Sequence, residues 1–118
     1  MPKITSGLPR SERLTKNSDF SRVYRQGTKA RCGNIAIAFV RDCPGKSRVG
    51  IAIPKASVRK AVGRNRAKRL LREAYRRNKA ILKSGHSMLI TCRQVPANYN
   101  EAEQLLSSLM KKAGLVKT

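Results

Sequence analysis

Between Lys55 and Lys83 the chain carries twelve lysines and arginines against a single acid, Glu73, and this segment restricts the possible folds more than any other. Cations at that density cannot enter a core unpaired, so the segment must lie at the surface. It is nevertheless not polar throughout. At roughly 100° of turn per residue, Ala67, Leu70, Leu71, Ala74 and Tyr75 fall on one face. Lys68, Arg72 and Arg76, with Arg69 beside them, fall on the other. The pattern predicts a helix held to a core by an apolar stripe, with a cationic face turned outward. Continued back to residue 58, the same helix would put Val58, Ala61 and Val62 near the cationic face. The reading therefore places a break in phase near Gly63–Asn65, a separate turn at 58–62 and a main helix from about 65 to 79, with Asn65 as its cap.

The flanking segments alternate in the manner of strands. Residues 34–41 set Ile35, Ile37 and Phe39 on one face and Ala36, Ala38 and Val40 on the other. Asp42 to Lys46 supplies turn chemistry, and residues 48–54 follow with Val49, Ile51 and Ile53 on one face. The two runs are read as an antiparallel hairpin. Its small side chains (Ala36, Ala38, Gly50, Ala52) leave a shallow surface for a helix or a ligand. A short helix precedes them, capped by Asn17 or Ser18, with Phe20, Val23 and Tyr24 at i, i+3, i+4 and Gly27 as terminator. After a turn at Gly85–His86, residues 87–93 form another strand. An amphipathic helix closes the series at about 99–113, with Ala102, Leu105, Leu106, Leu109, Met110 and Ala113 as its stripe and Gly114 as its stop. The order α-β-β-α-β-α describes an α+β, two-layer α/β sandwich in a single domain at 15–114. Residues 1–14 are read as a mobile basic arm and 115–118 as a tail.

Charge narrows the partner. The 118 residues hold 27 Lys and Arg against 6 Asp and Glu, a net charge of +21. Self-repulsion on that scale opposes compaction and is relieved by a polyanion. Solvated helix faces usually mix signs, whereas here most of the charge is unpaired within its own segment, and arginine forks match phosphate geometry. RNA is favoured over DNA, because no helix-turn-helix pair, zinc spacing or zipper can be read. No apolar run reaches the roughly 18 residues that would suggest a membrane helix. Three widely spaced cysteines, Cys32, Cys43 and Cys92, fit a reducing, cytoplasmic setting rather than a disulfide framework. Catalysis by side chains has little support. The acids are scattered, His86 is the one histidine, and no nucleophile–base–orienter set or metal-ligand spacing can be read.

Residues 55–75, KASVRKAVGRNRAKRLLREAY, carry a motif that resembles the signature of the bacterial ribonuclease P protein family. Its centre is Arg64-Asn65-Arg66-Ala67-Lys68-Arg69-Leu70-Leu71-Arg72. Upstream, Asp19-Phe20-Ser21-Arg22-Val23-Tyr24-Arg25-Gln26-Gly27 is similar to the family's first helix, and the likeness extends over about residues 10–113. The resemblance implies a left-handed βαβ crossover. It implies partnership with a catalytic RNA, one protein per RNA, and removal of the 5′ leader from precursor tRNA. The chemistry would then be carried by the RNA, with Mg²⁺ held mainly by RNA and no catalytic or metal-binding residue in the protein. It assigns Arg64, Asn65, Arg66, Lys68, Arg69 and Arg72 to the catalytic RNA. It assigns Phe20, Tyr24, Lys55 and Phe39 to the single-stranded leader. Ile35-Ala36-Ile37-Ala38 departs from the more aromatic first strand usual in the family, which shifts weight from stacking to backbone contacts. Phe20 and Tyr24 have spacing that equally allows ordinary core packing. The alternative function is a ribosomal or other structural RNA-binding protein; a free-standing nuclease and a membrane-active protein rank below it.

Overall fold

A computed structural model describes residues 13–14, 17–41, 47–83 and 85–116. The chain order is α1 (Asn17–Gln26), β1 (Thr28–Cys32), β2 (Ile35–Arg41), β3 (Arg48–Ala52), α2 (Ala61–Asn78), a short 3-10 turn (Lys79–Ile81), β4 (His86–Cys92) and α3 (Tyr99–Ala113). The fold is α+β, with one mixed four-stranded sheet in the order β1-β2-β4-β3. The basic arm at 1–12, the turn at Asp42–Lys46 and residues 117–118 lie outside the described residues.

β4 lies between β2 and β3 and is buried on both faces. Met88, Ile90 and Cys92 point into a large cluster with Ile35, Ile37, Val49, Ile51, Leu71, Leu106 and Leu109. Leu89 points the other way, into a smaller cluster with Leu14, Val23 and Ala38. Helices α2 and α3 cover the first face, and α1 crosses the second. α3 follows the expected bounds. Asn98 caps it by accepting from the Glu101 amide, and Gly114 at φ 77° ends it.

Several sequence expectations are corrected. The runs at 34–41 and 48–54 are not a hairpin: β4 lies between them, antiparallel to β2 and parallel to β3. The hairpin partner of β2 is β1, a strand that the expected order omits. β1 (TKARC) lies at the sheet's edge, and its alternation of Ala30 and Cys32 with Lys29 and Arg31 is short and holds only small apolar side chains, a weak periodic signal. Its two-residue connection, Gly33-Asn34, is the legible signal, with Gly33 at φ 61°.

α2 runs unbroken through Gly63–Asn65. The break in phase comes earlier, at a turn in which the Ser57 and Val58 amides both donate to the Pro54 carbonyl. Val58 is half-buried there, while Val62 is left 80% exposed, so the helix continues at the expense of one apolar side chain. Asn65 is an exposed helical residue, not a cap. His86 is the first residue of β4 rather than part of the turn, and it is buried. At the inner edges of the expected arm and tail, Leu14 and Leu115 pack into the core clusters. Leu14 is buried and donates its amide to the Val49 carbonyl at 2.9 Å. Leu115 is buried, and Val116 bridges to Leu82.

Candidate nucleic-acid interface

α2 lies on the sheet because Ala67, Leu71, Ala74 and Tyr75 are buried, which fixes where every cation on it points. The six basic-motif residues then separate into three groups. Arg64 and Arg66 are anchored. One Arg64 nitrogen donates to the carbonyls of Val58 at 2.9 Å and Arg59 at 2.7 Å, closing the entry turn onto the helix. Arg66 donates to the Ala97 carbonyl at 3.0 Å and ties α2 to the loop before α3. An arginine has five N–H donors, so both keep further donors for an external acceptor. Asn65 and Arg69 are exposed and face outward. Lys68 and Arg72 are half-buried on the flank near the β3 edge, where they approach Arg13 and Phe20. Burial, with the Arg13 charge adding to it, holds the Arg72 guanidinium below its ordinary pKa.

Charge along α2 is uneven. Glu73 accepts from Arg76 at 2.6 Å and from Arg77 at 2.9 Å, which neutralises part of the C-terminal half. The Arg76 hydrogen bond is the largest cause of a lowered Glu73 pKa. Arg77 also lies over the Tyr99 ring at 4.9 Å. The first half of the helix has no acid, so the strongest positive field surrounds Arg64–Arg72.

On the other face of the sheet, α1 covers only part of the small-residue surface and leaves a groove of about 420 Å³ beside it. Ala36, Ala38, Leu89 and Thr91 line it together with Tyr24, Lys29, Arg31, Asn34 and Arg93. Gly27 allows this arrangement. A Cβ there would strike the Val23 carbonyl and come within 2.8 Å of the Phe39 carbonyl, so only glycine lets the helix end so close to β2. Helical spacing sends the three apolar residues of α1 to different places. Val23 is fully buried in the core. Phe20 is half-buried over Gly50, whose added Cβ would lie 2.5 Å from its ring. Tyr24 is 56% exposed and lines the groove, with Lys29 Nζ 4.3 Å from its ring centroid.

Tyr24 is thus the aromatic ring that faces the groove. Phe20 serves mainly to pack α1 against β3. Phe39 stands on the opposite face of the sheet, against the large core and edge-on to His86, with ring centroids 5.7 Å apart. Strand alternation places it with Ile35 and Ile37, so it does not join Tyr24. Lys55 is exposed in the turn after β3 and is not part of the groove's lining. Of the groove's cations, Lys29 and Arg31 were missed by sequence reasoning because β1 itself was missed, and Arg93, at the end of the expected 87–93 strand, because nothing local marks the groove. Recognising Gly33-Asn34 as a turn would have placed Lys29 and Arg31 on a strand beside Ala36 and Ala38. The described residues therefore present two cationic surfaces, one along α2 and one in the groove.

These features agree with comparisons to known proteins. The family model described as Ribonuclease P matches residues 8–114. The ribonuclease P protein component of Clostridium acetobutylicum is 37% identical over 112 residues, covering 91% of this chain and 92% of that protein. That of Dictyoglomus turgidum is 34% identical over 114 residues, covering 93% and 95%. The solved structure of the ribonuclease P protein from Thermotoga maritima superposes with a TM-score of 0.76 at 26% identity, covering 85% of this chain and 96% of that one. With the sheet order, the basic α2 motif and a family match over nearly its whole length, the chain belongs to the ribonuclease P family, as a protein component of that tRNA-processing endoribonuclease.

Proposed function

We propose that the chain binds the catalytic RNA through α2 and the 5′ leader of precursor tRNA through the groove beside α1, assisting cleavage chemistry that the RNA performs. The observation that carries this reading is the pairing of two cationic surfaces on opposite faces of one sheet. One is a helix with Asn65 and Arg69 facing outward, and the other is an open groove with a single exposed aromatic ring, Tyr24. Arg64 and Arg66 set the helix and its neighbouring loops in place and offer their remaining donors to phosphates. Lys68 and Arg72 add charge on the flank. In the groove, one leader base stacks on Tyr24, and Lys29, Arg31 and Arg93 follow the backbone. Phe20 acts by placing α1 rather than by touching RNA. Lys55, on the entry turn, is available to the backbone of an approaching strand.

Among the described residues, no three His, Cys, Asp or Glu side chains gather as metal ligands. The reading places Mg²⁺ on RNA oxygens, as the family resemblance implies. The protein's contribution is to offset phosphate repulsion between the catalytic RNA and its substrate, which lowers the Mg²⁺ needed. One protein per RNA suffices for this arrangement. No described helix is long and apolar enough to cross a membrane.

The test is site-specific cleavage of a precursor tRNA by a bacterial ribonuclease P RNA at low Mg²⁺, with and without the protein. Stimulation that depends on the leader, and that Tyr24→Ala reduces for leader-bearing substrate only, is the expected result. RNA binding without stimulation would instead favour a structural RNA-binding role.

A further inference from the structure

At the end of β1 away from Gly27, a second cavity of about 270 Å³ opens where the β1–β2 turn meets the start of α3. Gly33, Asn34, Gln94, Glu101 and Leu105 line it. Asn34 lines the groove as well, so the two spaces meet at one residue. Their chemistry differs. The groove is lined by Lys29, Arg31 and Arg93. Among the described residues no lysine or arginine lines the second cavity, and Glu101 brings an acid to it. A strand whose phosphates follow the groove's cations finds no cation there to hold another phosphate. The cavity suits an uncharged ring with hydrogen-bonding edges.

Its polar side chains are each held at one atom. The Asn34 carbonyl accepts from the Arg93 amide at 2.9 Å, and Asn34 Nδ2 donates to Gln94 Oε1 at 2.9 Å. The second bond leaves Gln94 Nε2 as a donor. The Gln94 carbonyl also accepts from the Cys92 thiol at 2.9 Å, which fixes the backbone at that residue. Glu101 Oε1 accepts from the Ala97 amide at 3.0 Å, while the Glu101 amide donates to the Asn98 cap. Glu101 Oε2 is left as an acceptor. One donor and one acceptor therefore share a cavity with the apolar Leu105 side chain and the bare Gly33 backbone. Adenine and cytosine match this pair, because each has an exocyclic amino group beside a ring-nitrogen acceptor. Guanine and uracil carry a carbonyl oxygen in place of that amino group, and it would face the carboxylate.

We propose that this cavity receives one adenine or cytosine of the leader strand, with Glu101 accepting from the amino group and Gln94 donating to the ring nitrogen. The assignment rests on the groove reading and extends it. Tyr24 can stack on any base, whereas Glu101 and Gln94 select between bases.

The test is cleavage by the holoenzyme, this protein with a bacterial ribonuclease P RNA, of precursor tRNA whose leader is randomised. Relative kcat/KM is read for each base at each leader position. One position should favour adenine and cytosine over guanine and uracil by roughly tenfold, the scale of one hydrogen bond to a charged group. Glu101→Gln keeps an oxygen for the Ala97 amide but replaces the other oxygen with a donor, and it should abolish that preference. Gln94→Ala should weaken it in the same direction and does not touch the α3 cap. Glu103→Gln removes the same charge nearby, where the carboxylate accepts from Asn78 instead, and should leave the preference unchanged. Absence of such a position, or a preference that survives both Glu101→Gln and Gln94→Ala, would overturn the subsite and leave the groove standing. Equal changes at every position in Glu101→Gln and Glu103→Gln would show a general charge effect and overturn it too. Cleavage indifferent to the leader as a whole would sink the groove reading, and the subsite with it.

Discussion

Replacing Gly27 by alanine tests whether the groove exists because a helix ends against a strand backbone. The added methyl would meet the Val23 carbonyl and lie 2.8 Å from the Phe39 carbonyl and 2.9 Å from the Phe39 amide nitrogen. All three are backbone atoms. β2 is bonded to β1 on one side and β4 on the other, so it cannot move aside without breaking a ladder. Overpacking of this kind costs about 1–3 kcal/mol, and the upper half of that range applies where no flexible side chain can yield. Reduced freedom of the unfolded chain offsets about 0.4–1 kcal/mol. The expected net loss is about 2 kcal/mol, or a fall of roughly 10 °C in Tm for a domain of this size.

Gly63→Ala is the matched control. Its methyl would meet side chains rather than backbone, the γ-methyls of Val58, at 3.0 Å, and Val95, at 3.5 Å, inside the unbroken part of α2. The gain in helix propensity approaches 1 kcal/mol, less whatever the Val58 adjustment costs, so this variant should be neutral or stabilised. Urea unfolding followed by circular dichroism, at fixed anion concentration, measures both. A neutral Gly27→Ala would refute the steric account of the α1–β2 junction. A clear loss of stability in Gly63→Ala would refute the continuous helix.

Other outcomes can be stated more briefly. Arg69→Gln should leave Tm unchanged and reduce the slope of log K against log salt for RNA binding by about 0.7–0.9, the share of one phosphate contact. Arg64→Gln, which loses both entry-turn carbonyls, should also lower Tm; equal stability of the two variants would contradict the division between anchored and outward arginines. Glu73 has a folded pKa below its unfolded value, so its stabilising contribution is complete above about pH 4.3 and is lost as pH falls through the folded value. Thermal melts of Glu73→Gln between pH 3 and 7 should therefore lack part of the wild-type acid-side decline, and an identical decline would rule out the Arg76–Glu73–Arg77 linkage. Burial pushes the Cys92 thiol pKa up, whereas Cys32 is partly exposed. Site-resolved alkylation at neutral pH should modify Cys32 before Cys92, and faster reaction at Cys92 would contradict its burial.

What the sequence determined by itself was whatever depends on local periodicity and on composition. The apolar stripe of α2, its cationic outer face and both bounds of α3 follow from spacing at 3.6 residues per turn, and the polyanion partner follows from net charge. The α+β class follows from the succession of these patterns. The motif around Arg64–Arg72 and the first-helix segment were enough to indicate the family. Tertiary structure decided whatever depends on which segments meet. Strand pairing is non-local, and the place of β4 between β2 and β3 goes with its burial on both faces, a property that no window around β2 or β3 contains. β1 alternates over only five residues, with small Ala30 and Cys32 as its apolar side chains, and takes its place through pairing with β2. Val62 shows that a helix can continue past an apolar residue on the wrong face when packing further along supplies the stability. The fates of Phe20, Tyr24 and Phe39 likewise depend on where α1 crosses the sheet and on the parity of β2. Spacing allowed Phe20 and Tyr24 to be core or surface; the close approach of α1 at Gly27 and Gly50 assigned Phe20 to packing and Tyr24 to the groove, while the parity of β2 put Phe39 on the far face.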